Sequence, residues 1–344
     1  MPPVELWCAV RFEPGSKCYQ GRGARILTRC VVTGGAGFIG SNLVRRLVGC
    51  AQEVVVLDNL STGRIENLAG LESRIEFVQG DVRDAALVSR LLKGAEVVFH
   101  QAALPSVPRS IRDPMASNAS NVDGTLNVLV AAREAKVRRV IVAGSSSVYG
   151  NTTVLPKVED MPTNPLSPYA VTKLVGELYA QVFTRVYGLE TVTLRYFNVF
   201  GPRQNPDSQY AAVIPKFIMK MARGEQPEIY GDGEQSRDFT YVDNVVEANI
   251  LAATADGVSG EVFNVGCGER HTLNKLVDKL NHLLGTAIEP KYGPPRPGDV
   301  RHSMASIEKA ASLLGYKPLV SFDDGLRQTV EWFVAKAARG TDGY

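Results

Sequence analysis

The sequence predicts an α/β fold: a doubly wound parallel sheet followed by a smaller, mixed α/β C-terminal lobe. Three observations point there. Short β-branched runs alternate with amphipathic helical stretches from residue 26 to about residue 200, as parallel strands joined by crossover helices do. A glycine-rich turn lies between the first such run and the first helix. Past Phe200 the alternation loosens, and proline and glycine become denser, which marks a second lobe.

Composition narrows the function classes. The chain has 344 residues, with 44% hydrophobic and 22% charged side chains, values ordinary for a globular protein of one large or two modest domains. A net charge of +2 gives no bulk attraction to nucleic acid or to a membrane surface. No apolar run approaches the roughly 20 residues of a membrane helix. We therefore expect a cytoplasmic protein with neither partner. The cysteines Cys8, Cys18, Cys30, Cys50 and Cys267 show no C-x-x-C spacing and are expected to be reduced. Four histidines, no two of them close in sequence, argue against a metal site. Residues 1–25 hold Pro2, Pro3, Pro14 and several glycines without apolar periodicity. They read as a poorly ordered extension that lacks the apolar core of a signal peptide, and deletion of residues 1–22 is expected to leave activity intact.

The first strand is Cys30-Val31-Val32-Thr33, which runs into Gly34-Gly35-Ala36-Gly37-Phe38-Ile39-Gly40 and then a helix with Leu43, Val44, Leu47 and Val48. Glycines at 34, 37 and 40 provide a tight turn, close backbone approach to a pyrophosphate and close helix–strand packing. The phosphates would sit at the positive helix N-terminus. The next strand, Val54–Leu57, ends in Asp58, placed as a ribose-binding carboxylate should be. This is a Rossmann-type dinucleotide site, and an acid at that position points to NAD rather than NADP. Further strands end at Asp81, at Gln101 and at Ser145, and a helix is expected over 119–136. Ligands bind beyond the carboxyl ends of such strands.

Ser167-Pro168 suits a helix start. Tyr169 and Lys173 then share one face of that helix. An ammonium beside a phenol favours the phenolate, so Lys173 is expected to lower the Tyr169 pKa and make it an acid/base near neutral pH. Ser145, in Ser145-Ser146-Ser147, joins them as a hydroxyl for the reacting oxygen.

These residues carry a resemblance to the extended short-chain dehydrogenase/reductase superfamily over about residues 26 to 338. It rests on TGGAGFIG at 33–40, SSSVYG at 145–150, YAVTK at 169–173 and LRYFNVFGPRQ at 194–204. HQAALPSVPRS at 100–110, NPDSQYAAVIPKF at 205–217, YGDGEQSRDFTYVDNV at 230–245 and PGDVRHS at 297–303 resemble nucleotide-sugar 4-epimerases, in particular those acting on UDP-N-acetylglucosamine (UDP-GlcNAc). The resemblance implies tightly bound NAD, held by Gly34, Gly37, Phe38, Ile39, Asp58, Asn59, Asp81, Val82, Gln101, Ala102, Ala103 and Tyr196 together with Tyr169 and Lys173. It implies catalysis by Tyr169, Lys173 and Ser145: a hydride leaves the sugar C4, the 4-keto sugar turns over, and hydride and proton return to its other face. The UDP-sugar would be bound by Ser145, Ser146, Asn198, Gln204, Ala212, Val213, Lys216, Tyr230, Arg237, Arg296, Asp299 and Ser303. Arg237 and Arg296 would take the diphosphate, Asp299 a ribose hydroxyl and Tyr230 the uracil face. Relatives commonly dimerise through two helices, here 119–136 and 169–187, so a homodimer is expected.

The resemblance also guides the choice of reaction and sugar. Related dehydratases and decarboxylases place a carboxylate just after the catalytic hydroxyl. Ser146 and Ser147 stand there instead, which favours plain epimerisation. Ser303, Ala211 and Ala212 are small and admit a 2-acetamido group, whereas Pro105 stiffens a loop expected beside the sugar. The open alternatives are a UDP-glucose/UDP-galactose 4-epimerase, a UDP-glucuronate decarboxylase or dehydratase, a uronic acid substrate, and a non-catalytic NAD-binding scaffold. The expected division is 26–200 with about 236–260 for NAD, and about 201–235 with 261–344 for the nucleotide sugar.

Overall fold

The computed structural model describes residues 27–206, 212–295 and 300–338. The expected N-terminal extension, Ala211, Arg296 and Asp299 lie outside the described residues. The strands of the large sheet are β1 (Leu27–Thr33), β2 (Ala51–Asp58), β3 (Glu76–Gln79), β4 (Val97–His100), β5 (Arg139–Ser145) and β6 (Glu190–Tyr196). Short strands β7 (Val199–Phe200), β8 (Glu228–Tyr230), β9 (Ser236–Arg237) and β10 (Thr240–Tyr241) follow. Then come β11 (Val262–Val265), β12 (His271–Thr272) and β13 (Lys291–Gly293). The large sheet has the order β11-β6-β5-β4-β1-β2-β3, and every pairing in it is parallel.

Strands that are apolar on both sides need cover on both faces. On one face Leu43, Val44 and Leu47 of α1 (Phe38–Leu47) meet Val245, Ala248 and Ala252 of α8 (Val242–Thr254). On the other, α2 (Ala85–Leu92), α5 (Gly124–Glu134) and α6 (Pro168–Tyr187) cover Val31, Val55, Val98 and Val140. A third core, with Phe200, Phe217, Phe239, Leu276 and Phe322, lies under α7 (Val213–Ala222), α9 (Leu273–Leu284) and α11 (Phe322–Ala338).

Two elements differ from expectation. Val262–Val265, expected in the smaller lobe, is the edge strand of the large sheet, paired with β6 from Val262↔Thr193 to Val265↔Tyr196. It is buried throughout, and α10 (Glu308–Leu314) sends Ala310 and Leu314 into the same core. The expected helix over 119–136 begins as a π-turn at Ala119–Asp123 before α5. It follows α3 (Val107–Arg112) and α4 (Pro114–Asn118). The cysteine expectation also changes: Cys30 and Cys267 are free, whereas Cys50 is disulfide-bonded. Among the described residues no helix is long and apolar enough to cross a membrane.

Candidate active site

After β1 the chain turns at Gly34, whose φ of +71° is left-handed and suits glycine. A Cβ there would lie 2.6 Å from the Ala102 amide nitrogen, and one on Gly40 would lie 2.1 Å from the Gly34 carbonyl oxygen. No side chain fits at either position. The loop therefore closes tightly on α1 and leaves that helix's N-terminus open. Asp58 completes the turn. Its Oδ2 accepts from the Ala36 N–H at 2.9 Å and its Oδ1 from the Leu60 N–H at 2.8 Å. Burial raises its pKa, and these backbone N–H groups act against that shift.

The cleft over this loop is lined by Gly34, Gly37, Phe38, Ile39, Asp58, Asn59, Val82, Gln101, Ala102, Ala103, Tyr169, Lys173 and Tyr196. Of the expected cofactor residues, Asp81 alone stands behind the wall. Its carboxylate accepts from Asn59 Nδ2 and pairs with Arg83, each at 2.8 Å, and hydrogen bonding to Arg83 lowers its pKa to about 2. A glycine cradle, an open helix N-terminus and a carboxylate at the end of β2 fit a dinucleotide.

The catalytic candidates converge at the cleft's far end. Ser145 is the last residue of β5, and its Oγ lies 2.9 Å from Ser147 Oγ. Ser167 caps α6 by accepting from the Ala170 N–H at 3.2 Å, and the Tyr169 N–H donates to Ser110 Oγ at 3.0 Å. The Lys173 ammonium donates to the Ala143 carbonyl at 2.9 Å. Burial lowers the Lys173 pKa to about 8. Tyr169 departs from expectation: burial raises its pKa, and the group acting against that shift is the Ser145 hydroxyl, not Lys173. The i,i+4 spacing puts ammonium and phenol on one face, but the ammonium is tied to a backbone carbonyl.

Beyond Tyr169 lies a cavity of about 600 Å³, lined by Ser145, Ser146, Ser147, Tyr149, Lys157, Asn198, Arg237 and Ser303, together with the apolar Val107, Pro108 and Ile111. Tyr169 and Tyr196 line both this cavity and the cofactor cleft. A third cavity, of about 260 Å³, is lined by Asn198, Ala212, Val213, Lys216, Tyr230 and Arg237, with Phe217 and Phe239 as apolar wall. Gln204 instead turns its amide to the Val199 carbonyl at 3.1 Å. Pro105 lines the cofactor cleft. The apolar wall beside Tyr169 comes from α3.

Sequence reasoning missed several supports. Asn249, on α8, accepts from Gln101 Nε2 at 3.0 Å and donates to the Tyr196 hydroxyl at 2.9 Å. His100 is fully enclosed, with Nδ1 2.8 Å from Thr33 Oγ1 and Nε2 2.9 Å from Thr125 Oγ1. Asn121, in the π-turn, accepts from the Leu104 N–H at 2.7 Å and donates to Thr172 Oγ1 at 3.0 Å. It thereby ties the loop after β4 to α6. Arg195 pairs with Glu177 at 2.6 Å and donates to the Tyr149 hydroxyl at 2.7 Å. A polar residue within an apolar face was the available signal for Asn249 and Glu177.

The NAD dependent epimerase/dehydratase family matches residues 30–266, and the chain belongs to that family. Its cofactor is NAD. The chain is 42% identical over 313 residues to a UDP-glucose 4-epimerase of Mycolicibacterium smegmatis, covering 90% of this chain and 99% of that protein. It is similar to the solved UDP-N-acetylglucosamine 4-epimerase from Methanobrevibacter ruminantium M1 in complex with UDP-N-acetylmuramic acid. That similarity has a TM-score of 0.86 and 44% identity, and covers 90% of this chain and 98% of the other. It is also similar to the UDP-glucose 4-epimerase of Thermus thermophilus complexed with NAD, with a TM-score of 0.82 and 38% identity over 89% and 99% of the two chains.

Proposed function

We propose that this protein is an NAD-dependent 4-epimerase of UDP-sugars that interconverts UDP-GlcNAc and UDP-N-acetylgalactosamine (UDP-GalNAc). One observation carries the reading: Tyr169, with Ser145 beside it, lies where the cofactor cleft meets a cavity whose lining among the described residues holds no Asp or Glu. A dehydratase or decarboxylase needs a second acid/base there. NAD supplies reversible hydride acceptance at the sugar C4 when bound. Tyr169, as the phenolate, would take the C4 hydroxyl proton and, as the phenol so formed, later return it, while Ser145 holds the reacting oxygen. Lys173 fixes the nicotinamide ribose, with its ammonium braced on Ala143. Arg237, with Arg296, takes the diphosphate, whose oxygens the guanidinium fork matches. Asp299 takes a ribose hydroxyl, and Tyr230 and the backbone from Val213 to Lys216 take the uracil. Around the sugar, Ser303 leaves room for a 2-acetamido group.

The test is a pair of assays without added NAD, one with UDP-GlcNAc and one with UDP-glucose, with the products separated by chromatography. UDP-GalNAc formed faster than UDP-galactose is the expected result. The reverse preference would support the UDP-glucose/UDP-galactose reading, which the Mycolicibacterium relative favours. No product in either tube, even after NAD is added, would overturn the function.

The protein acts as a homodimer in the cytoplasm under this reading. Val171, Leu178, Val182 and Val186 form an exposed apolar stripe along α6, at 46%, 50%, 44% and 65% exposure. A second copy of the same helix would cover it. Light scattering should give twice the chain mass, and Val182→Arg should reduce it.

A further inference from the structure

The wall that carries Ser303 is not part of any long strand. Its residues are held piecemeal. The Ser303 N–H donates to the Ser236 carbonyl at 3.1 Å, and the Ser236 N–H donates to the Arg301 carbonyl at 3.0 Å. The Lys157 N–H donates to the Met304 carbonyl, and the Ser306 N–H to the Lys157 carbonyl, each at 2.8 Å. At the centre sits Asp238, whose side chain lines none of the three clefts and is fully buried. Its Oδ1 accepts from the Cys267 N–H at 2.8 Å, and its Oδ2 accepts from the N–H groups of Gly268 and Ala305, each at 3.1 Å. Its own carbonyl accepts from Asn198 Nδ2 at 3.1 Å. Arg237 precedes it.

A buried carboxylate is costly, and an apolar residue would suit a core better if packing were the only demand. Three converging N–H groups ask for an acceptor with two oxygens. An amide offers one oxygen and an NH₂ group, which would point hydrogens at a donor. The fit also constrains the neighbouring loop: a Cβ on Gly266 would lie 2.7 Å from the Ala305 Cβ and 2.8 Å from Asp238 Oδ2.

We propose that Asp238 is a positioning residue for the substrate: by gripping Cys267, Gly268 and Ala305 it holds the Ser303 wall at a fixed distance from Arg237 and Asn198. The diphosphate site and the C2 side of the sugar site are thereby set by one carboxylate that touches neither. The inference rests on the UDP-sugar reading above.

The test compares wild type with Asp238→Asn and Gly266→Ala, each purified with its bound NAD. KM and kcat are measured for UDP-GlcNAc and UDP-glucose, together with NAD content and UDP affinity by titration. Asp238→Asn should raise KM about tenfold, with kcat changed by about threefold or less, NAD retained, and the preference between the two sugars narrowed. Gly266→Ala should move KM in the same direction by less. An NAD-loaded Asp238→Asn protein with unchanged KM and preference would overturn the proposal. If Asp238→Asn does not fold, unchanged KM and preference in Gly266→Ala would overturn it instead. A wild-type protein that turns over no UDP-sugar would bring down the functional reading. UDP affinity then decides the inference, because Asp238→Asn, or Gly266→Ala in its place, should still weaken it, and equal affinity would overturn it.

Discussion

The cofactor half and the substrate half of this molecule are built in opposite ways. The floor of the cofactor cleft is contiguous sequence, one strand, one glycine loop and one helix, with backbone so close at Gly34 and Gly40 that no side chain fits. Its walls are added mostly by the ends of the neighbouring parallel strands. The substrate cavities draw on residues around 107–111, 144–150, 157, 198–200, 212–217, 228–239 and 300–303, several of these segments joined by single bridges such as Lys157↔Ala305 and Ser236↔His302. Geometry set by backbone contact fails outright when disturbed. Geometry set by pins between loops shifts by degrees, and such shifts change preference before they abolish turnover.

The largest effect should fall where the halves meet. Tyr169→Phe removes the proton carrier and should lower kcat about 1000-fold while bound NAD stays unchanged. Full turnover in that variant would break the assignment. Next comes the cofactor half itself. Gly40→Ala should yield protein without retained NAD, or no folded protein, read from the absorbance of cofactor released on denaturation. An NAD-loaded, active Gly40→Ala enzyme would erase the contrast between the halves. In the substrate half, Ser303→Tyr should suppress UDP-GlcNAc turnover at least about tenfold and spare UDP-glucose. Equal activity on both sugars would remove Ser303 as the gate.

The smallest effect concerns stability. Burial lowers the His100 pKa from 6.5 to about 3. The unfolded chain thus binds a proton that the folded chain refuses between those values, and the stability that neutral His100 contributes is lost as pH falls from about 6.5 to 3. Asp238 opposes it, because burial raises its pKa to about 6 and folding is favoured as that carboxyl protonates. The diagnostic is therefore a difference: His100→Gln should show a shallower fall in melting temperature over that range than wild type. Parallel curves would mean that His100 titrates as freely folded as unfolded.

Much of the cofactor half was legible in sequence because its signals are local. Gly34, Gly37 and Gly40 report one loop, Asp58 one strand end, and Tyr169 with Lys173 one helical turn. The strand at Val262–Val265 was misplaced because a four-residue apolar run carries no mark of which sheet it joins; only its pairing with β6 decides that. Asn249, His100 and Asp238 were missed for a related reason. Each works by meeting partners far away in the chain, and a lone buried polar residue in sequence looks like any other. The Lys173 expectation erred differently. Spacing placed the ammonium on the right face, but it does not reveal that the Ala143 carbonyl waits there.

Asp58 has a practical consequence for anyone wishing to re-engineer the enzyme for a phosphorylated cofactor. The usual move exchanges the acid for a small or basic residue that welcomes the extra phosphate. Here the same two oxygens lock the Ala36 and Leu60 amides, so the exchange would undo the loop that grips every dinucleotide, phosphorylated or not. A successful redesign would have to replace the latch before changing the taste.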